Sequence, residues 1–115
     1  MPSWLPLRTP DDLDEAVQAS ADQPVMIIKH SRTCGTSAQA LDTLGEWLDA
    51  ERPGLRCYLV TVQADREAST LIAARFGVRH ESPQVLVLRG GQVAWHASHF
   101  RVSPSAVARA LAGWT

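Results

Sequence analysis

The stretch Val25-Met26-Ile27-Ile28-Lys29-His30-Ser31-Arg32-Thr33-Cys34-Gly35-Thr36-Ser37 runs from four consecutive apolar residues into a single cysteine. A continuous apolar run of this length is expected of a central strand covered on both faces. Beyond it, Ala38, Leu41, Leu44, Trp47 and Leu48 recur at helical spacing until Pro53-Gly54 stops the segment. Cys34 therefore falls where the exit from a strand meets the start of a helix, and both Thr33 and Cys34 suit the cap position. Backbone N–H groups at a helix start lack carbonyl partners and the helix dipole is positive there, so a thiolate is favoured. Gly35 and Thr36 occupy the first turn, where Gly35 removes bulk beside the sulfur. The Ser37 hydroxyl stands one turn away, able to donate a hydrogen bond to it. Ser37 also stands where a second cysteine would complete a Cys-x-x-Cys pair. Such a pair closes its own disulfide, whereas Cys34 with Ser37 can attack a disulfide but needs an outside thiol to be released.

Upstream of this stretch, Pro10-Asp11-Asp12 precedes Leu13, Ala16 and Val17, whose spacing predicts a short helix ending before Pro24. Downstream, Leu55 to Val62 reads as a second apolar strand containing Cys57. Asp65 is placed to cap the next helix by accepting from its first N–H groups. Ala68, Leu71, Ile72 and Phe76 share one side of that helix, and Gly77 suits a left-handed end. Ser82-Pro83 then leads into Val85-Leu86-Val87-Leu88, which Gly90-Gly91 joins to Val93-Ala94-Trp95 as a hairpin. In the last helix Ser103 is the cap, Pro104 opens the first turn, Val107 and Leu111 lie four apart, and Gly113 marks the end. Crossover helices imply parallel neighbours and the hairpin adds an antiparallel edge. The expected fold is α/β, with a mixed central sheet between helices.

With 115 residues, 45% of them hydrophobic, the chain suits one domain spanning 1–115 with a core that needs neither metal nor disulfide. Eleven basic and twelve acidic residues give a net charge of -1 without long runs of either sign, which argues against nucleic acid as a partner. No apolar stretch approaches the roughly 20 residues needed to span a bilayer. Met1-Pro2-Ser3-Trp4 also lacks the pattern of a signal peptide, so a cytoplasmic protein away from membranes is expected. In a reducing compartment, Cys34 and Cys57 read as one working thiol and one buried small hydrophobe. His30 precedes Cys34 closely enough to support its thiolate if the strand directs it that way. Arg32 and Lys29 read as exposed bases near a loop that could draw in an anionic thiol.

The order of strand, cysteine, long helix and Ser82-Pro83 before a later strand resembles the thioredoxin layout, which implies a cis bond at Pro83 beside Cys34. Three blocks narrow the resemblance: Lys29 to Ser37, then Phe76-Gly77-Val78-Arg79-His80-Glu81-Ser82-Pro83-Gln84-Val85, then Trp95-His96-Ala97-Ser98-His99. Across approximately Pro10 to Leu111 the chain is similar to the monothiol bacilliredoxins, thioredoxin-like proteins of the bacillithiol system. The resemblance implies a thiol–disulfide oxidoreductase that removes bacillithiol, a cysteinyl-glucosamine-malate thiol, from mixed disulfides on client proteins. Cys34 would be the nucleophile, free bacillithiol the co-substrate that resolves the adduct, and no cofactor would be tightly bound. Ser82 and Pro83 would bind substrate, with His96 and His99 neutralising malate carboxylates or assisting proton transfer. His96 and His99, without matching ligands, do not read as a metal site. A monomer is expected. Gly35 departs from the proline that family members often carry after the cysteine. That change leaves Cys34-Gly35-Thr36-Ser37 similar to the Cys-Gly-Phe-Ser of monothiol glutaredoxins, which implies [2Fe-2S] cluster binding and transfer as an alternative. A non-catalytic interaction module of the same fold is a further one.

Overall fold

The computed structural model describes residues 4–51 and 53–112. Strand β1 (Leu5–Pro6) leads to helix α1 (Pro10–Ala19), and β2 (Val25–His30) to α2 (Gly35–Glu51). β3 (Arg56–Thr61) is followed by α3 (Arg66–Phe76). The hairpin of β4 (Gln84–Arg89) and β5 (Gln92–Ser98) then passes through a 3-10 helix, His99–Arg101, into α4 (Pro104–Leu111). The sheet order is β1-β3-β2-β4-β5. β2 pairs parallel with β3 and antiparallel with β4, and β5 pairs antiparallel with β4.

The apolar run of β2 follows from this central place. Val25 and Ile27 pack with Leu13 and Ala16 of α1 and with Ala68 and Ile72 of α3. Met26 and Ile28 point the other way, into a second core with Ala40, Leu44 and Leu48 of α2 and Val107 of α4. A strand whose successive side chains enter opposite cores has no polar face to present. The expected mixed α/β sheet is therefore present, with two differences in its details. β1 escapes sequence reading because two residues at a sheet edge carry no periodicity, and proline is tolerated there. The antiparallel part also begins at β2 rather than only in the hairpin. Segment 77–83 returns the chain to the end of the sheet where β3 finished, since Lys29 is in register with both Val60 and Gln84.

Local signals mostly act as their chemistry requires. Gly77 ends α3 at φ 65, and its N–H donates to the Ala73 carbonyl. Gly90 and Gly91, at φ 58 and 81, make the tight hairpin turn that positive φ values permit. Thr9 forms a capping box with Asp12 at the start of α1. Asp65 departs from expectation. It occupies the cap position of α3 but makes no side-chain capping bond, because its Oδ2 accepts from the Thr61 N–H at 3.0 Å. Gly113, expected to end α4, and residues 1–3 lie outside the described residues. Ser103 does cap α4, its Oγ accepting from the Ala106 N–H at 3.2 Å. Replacing Ser103 with Ala should lower unfolding free energy by about 1 kcal/mol; an unchanged denaturant midpoint would refute that role.

Candidate active site

β2 ends at His30, and the short loop behind it carries Cys34 to the tip of α2. The Cys34 N–H donates to the Ser31 carbonyl at 3.3 Å, and its own carbonyl accepts the first helical bond, from the Ala38 N–H, at 3.2 Å. Of the two residues that suit the cap, Cys34 is thus the one that occupies it. Its thiol is partly exposed and its pKa is lowered. The largest cause is the Ser37 backbone N–H, followed by the Ser37 hydroxyl, with the Thr36 N–H and hydroxyl adding smaller effects in the same direction. Ser37 is fully buried and its Oγ is committed to no other hydrogen bond, so the hydroxyl is free to turn to the sulfur. These donors stabilise the charged form and leave the neutral thiol little changed.

Thr33 and Gly35 contribute differently from Thr36 and Ser37. Thr33 Oγ1 lies 3.2 Å from Ser31 Oγ, inside the preceding loop rather than against the sulfur. Gln63, beyond the end of β3, braces that loop: its Nε2 donates to Ser31 Oγ at 2.8 Å, and its Oε1 accepts from the Arg32 N–H at 3.1 Å. Nothing in the local sequence marks Gln63, because its partners are some thirty residues away. A Cβ added at Gly35 would meet no atom within 4 Å outside its chain neighbours and its own helix backbone, so the first turn is open at this position. Arg32 is exposed. Strand alternation puts His30 on the face of Met26 and Ile28, towards α2, with its Nδ1 buried and without a partner. Lys29 corrects the expectation of an exposed base: it is fully buried on the opposite face, where burial pushes its pKa down to about 8.

The Ser82-Pro83 bond is cis. The Pro83 carbonyl accepts from the His99 N–H at 2.8 Å, which ties the end of β5 to the proline segment. His99 holds a left-handed backbone at φ 56, and the following Phe100 is 90% exposed. Both residues line two clefts. One, of about 200 Å³, runs along Thr36, Gln39 and Ala40 of α2. The other, of about 430 Å³, is bordered by Glu81, His96, Ser98 and Arg101. His99 Nε2 stands 3.8 Å from Glu81 Oε2. The Glu81 carboxyl is held below its ordinary range, first by a hydrogen bond from Ser98 and then by the charges of His99, Arg79 and His96. The structure thus brings His96 and His99 to one cleft, and through His99 connects that cleft to the first turn of α2. Phe100, Arg101 and Glu81 belong to this neighbourhood and were not singled out from sequence; the adjoining histidines were the only signal.

Cys57 takes no part in this arrangement. It lies in the core beneath α2, its Sγ donates to the Leu55 carbonyl at 3.5 Å, and burial pushes its pKa up to about 12. No group of three or more His, Cys, Asp or Glu among the described residues is placed to hold a metal ion. Nor is any helix among them long and apolar enough to cross a membrane.

A mixed sheet that delivers one activated thiol to the tip of α2, with a cis-Pro83 segment tied through His99 to the cleft along that helix, defines a thiol–disulfide oxidoreductase of thioredoxin fold. A solved structure described as a candidate oxidoreductase with a thioredoxin fold is 32% identical, with a TM-score of 0.82 over 92% of this chain and 91% of that one. Thioredoxin from Fasciola hepatica shares the fold at 18% identity, with a TM-score of 0.75 over 96% and 99% of the two chains. Thioredoxin O2 from Arabidopsis thaliana does so at 15% identity and a TM-score of 0.73, over 97% and 94%. The family described as monothiol bacilliredoxin BrxC matches residues 5–107, and the chain belongs to that family.

The sulfur's environment has a measurable consequence. With its pKa lowered, Cys34 is thiolate over a pH range in which an ordinary cysteine is still protonated, so its alkylation by iodoacetamide should reach half-maximal rate at a lower pH. Ser37→Ala keeps the backbone donor but removes the hydroxyl, so that midpoint should move part of the way back up. An unmoved midpoint would show that the hydroxyl contributes nothing.

Proposed function

We propose that the chain removes bacillithiol from protein mixed disulfides, with Cys34 as the nucleophile. The thiolate of Cys34 attacks the bacillithiol sulfur of the mixed disulfide. The original sulfur–sulfur bond breaks, the client cysteine departs as a thiolate and takes a proton from solvent, and Cys34 is left in a disulfide with bacillithiol. The thiolate of a second bacillithiol then attacks the bacillithiol sulfur of that adduct, freeing the Cys34 thiolate and forming bacillithiol disulfide. Electrons balance without any other oxidant or reductant.

The observation that carries this reading is the contrast between the two cysteines. Cys34 is partly exposed with its thiolate favoured, while Cys57 is buried with its thiol pushed to about 12. Ser37 cannot form a disulfide, and the buried neutral Cys57 is no nucleophile, so the adduct has to be released by a thiol from outside. Thr36 and Ser37 favour the thiolate, while Thr33 and Gly35 shape the loop and open the approach to it. The Ser82-Pro83 segment is the surface against which the mixed disulfide lies. Arg101 offers positive charge, and His96 and His99 offer ring N–H donors, to the malate carboxylates, while Glu81 stands opposite His99. Neither His30 nor Arg32 is among the groups that favour the Cys34 thiolate; exposed Arg32 instead offers its charge to an incoming anionic thiol. Partners are bacillithiolated clients and free bacillithiol, met by a single-domain monomer in the reducing cytoplasm.

The direct test incubates the reduced protein with a bacillithiolated client, with and without free bacillithiol, and follows client release and the mass of the protein. Without bacillithiol, one turnover should release the client and leave one bacillithiol on Cys34; added bacillithiol should restore turnover, and glutathione should serve less well. Cys34→Ser should abolish release, and Cys57→Ser should retain it within about twofold. A folded, reduced protein that forms no adduct would remove the proposal.

A further inference from the structure

Two buried polar side chains stand side by side on the sheet face that packs against α1 and α3. Lys29 of β2 and Gln84 of β4 are register partners, 0% and 1% exposed. Elsewhere on that face the same strands carry Val25, Ile27, Leu86 and Leu88. An ammonium among such neighbours is costly unless its donors are met, so its hydrogen bonds explain why it is tolerated. Lys29 Nζ donates to the Ser69 carbonyl in α3 at 3.2 Å and lies 3.3 Å from His80 Nδ1. Ser69 Oγ lies 3.0 Å from the same ring nitrogen. Gln84 Nε2 donates to the Arg79 carbonyl at 2.8 Å and to Ser98 Oγ at 3.2 Å.

Adjacent strands therefore hold adjacent residues, Arg79 and His80, of the segment that leads into Ser82-Pro83. β2 also delivers Cys34, five residues after Lys29. One strand thus leads to the sulfur and, through Lys29, holds the segment that enters Ser82-Pro83. An ammonium has donors only, so His80 Nδ1 accepts from it and the ring proton resides on Nε2. A protonated His80 would bring a second positive charge and a second donor against Lys29. The groups around the ring are Lys29 from β2, Ser69 from α3 and Glu81 from its own segment. Burial and the charge of Lys29 hold His80 below its ordinary pKa, and Glu81 opposes them more weakly.

We propose that Lys29 and His80 form a clamp that positions the Ser82-Pro83 segment opposite Cys34 for capture of the mixed disulfide, and that protonation of His80 in acid opens it. Lys29 is in this sense a positioning residue. The clamp rests on the reading that Cys34 and the Ser82-Pro83 segment together receive the disulfide.

The test measures binding in the full chain carrying Cys34→Ser, which removes both exchange and the titration of the sulfur. The probe is a rhodamine-labelled cysteine peptide bearing bacillithiol in disulfide linkage, followed by anisotropy from pH 7 down to about pH 5, which keeps Lys29, pushed to about 8, in its charged form and runs below the ordinary histidine pKa. Lys29→Met, which preserves length in an apolar site, should weaken binding about tenfold at pH 7. His80→Asn offers an acceptor that does not titrate, so it should lose the His80 part of the acid dependence. That part is the difference between the parent and His80→Asn at each pH, which removes the titration of His96 and His99 in the neighbouring cleft, and the parent should weaken relative to the variant as the pH falls. A parent that fails to bind the peptide at any pH would overturn the underlying reading and the clamp with it. A parent that binds, with Lys29→Met matching it or with His80→Asn keeping the whole acid dependence, would overturn the clamp alone. Near-UV circular dichroism establishes that Lys29→Met is folded; if it is not, the exposed His80 variant decides.

Discussion

Burial of β2 on both faces is the constraint from which the rest of the arrangement follows. The strand is bonded to β3 on one side and β4 on the other, and its successive side chains enter two separate cores. Such a strand cannot slip by one residue without driving its polar members into the wrong core and its apolar members out of the right one. Its end point is therefore fixed, and with it the loop that carries Cys34. The thiol is presented at the end of a strand bonded on both sides and buried on both faces, which is how a small protein holds a reactive group steady.

The chemistry at the tip of α2 depends on donors rather than on a charged neighbour. The Ser37 N–H and hydroxyl lead the effects on Cys34, supported by Thr36, and neither His30 nor Arg32 is among the causes. A thiolate stabilised by backbone amides and a buried hydroxyl keeps its environment when surrounding side chains titrate. Charged groups are deployed instead around the second cleft, where His96, His99, Arg101 and Glu81 gather and where an anionic thiol would bring its carboxylates. On the proposed function, that division separates activation of the sulfur from recognition of what it attacks. It is consistent with membership of the monothiol bacilliredoxin family.

Much of this was legible along the chain because the signals are local. Periodicity identified four helices and four of the five strands, the Gly90-Gly91 turn and the Gly77 helix end followed from backbone chemistry, and the Ser103 cap followed from its position before Pro104. Failures came where a residue had two possible partners. Asp65 has the right type and place to cap α3, yet its carboxylate serves the Thr61 amide, a choice made by the path of the preceding loop. Lys29 was expected at the surface because lysines next to loops usually are, and nothing in its neighbours announces acceptors on α3 and in segment 77–83. Gln63 and Arg101 were passed over for the same reason, since their surroundings are assembled from distant parts of the chain.

The sequence by itself determined the class of fold, the cysteine at a helix start, and the absence of a second cysteine within one turn of it, because hydrophobic period and residue type act over a few neighbours. Only the tertiary structure decided that Cys34 rather than Thr33 is the cap, that His99 joins the proline segment to the cleft along α2, and that Lys29 is buried against His80. Each of these depends on which donors and acceptors meet across elements far apart in the chain. That pairing is settled only when the sheet closes and water is no longer available to satisfy them.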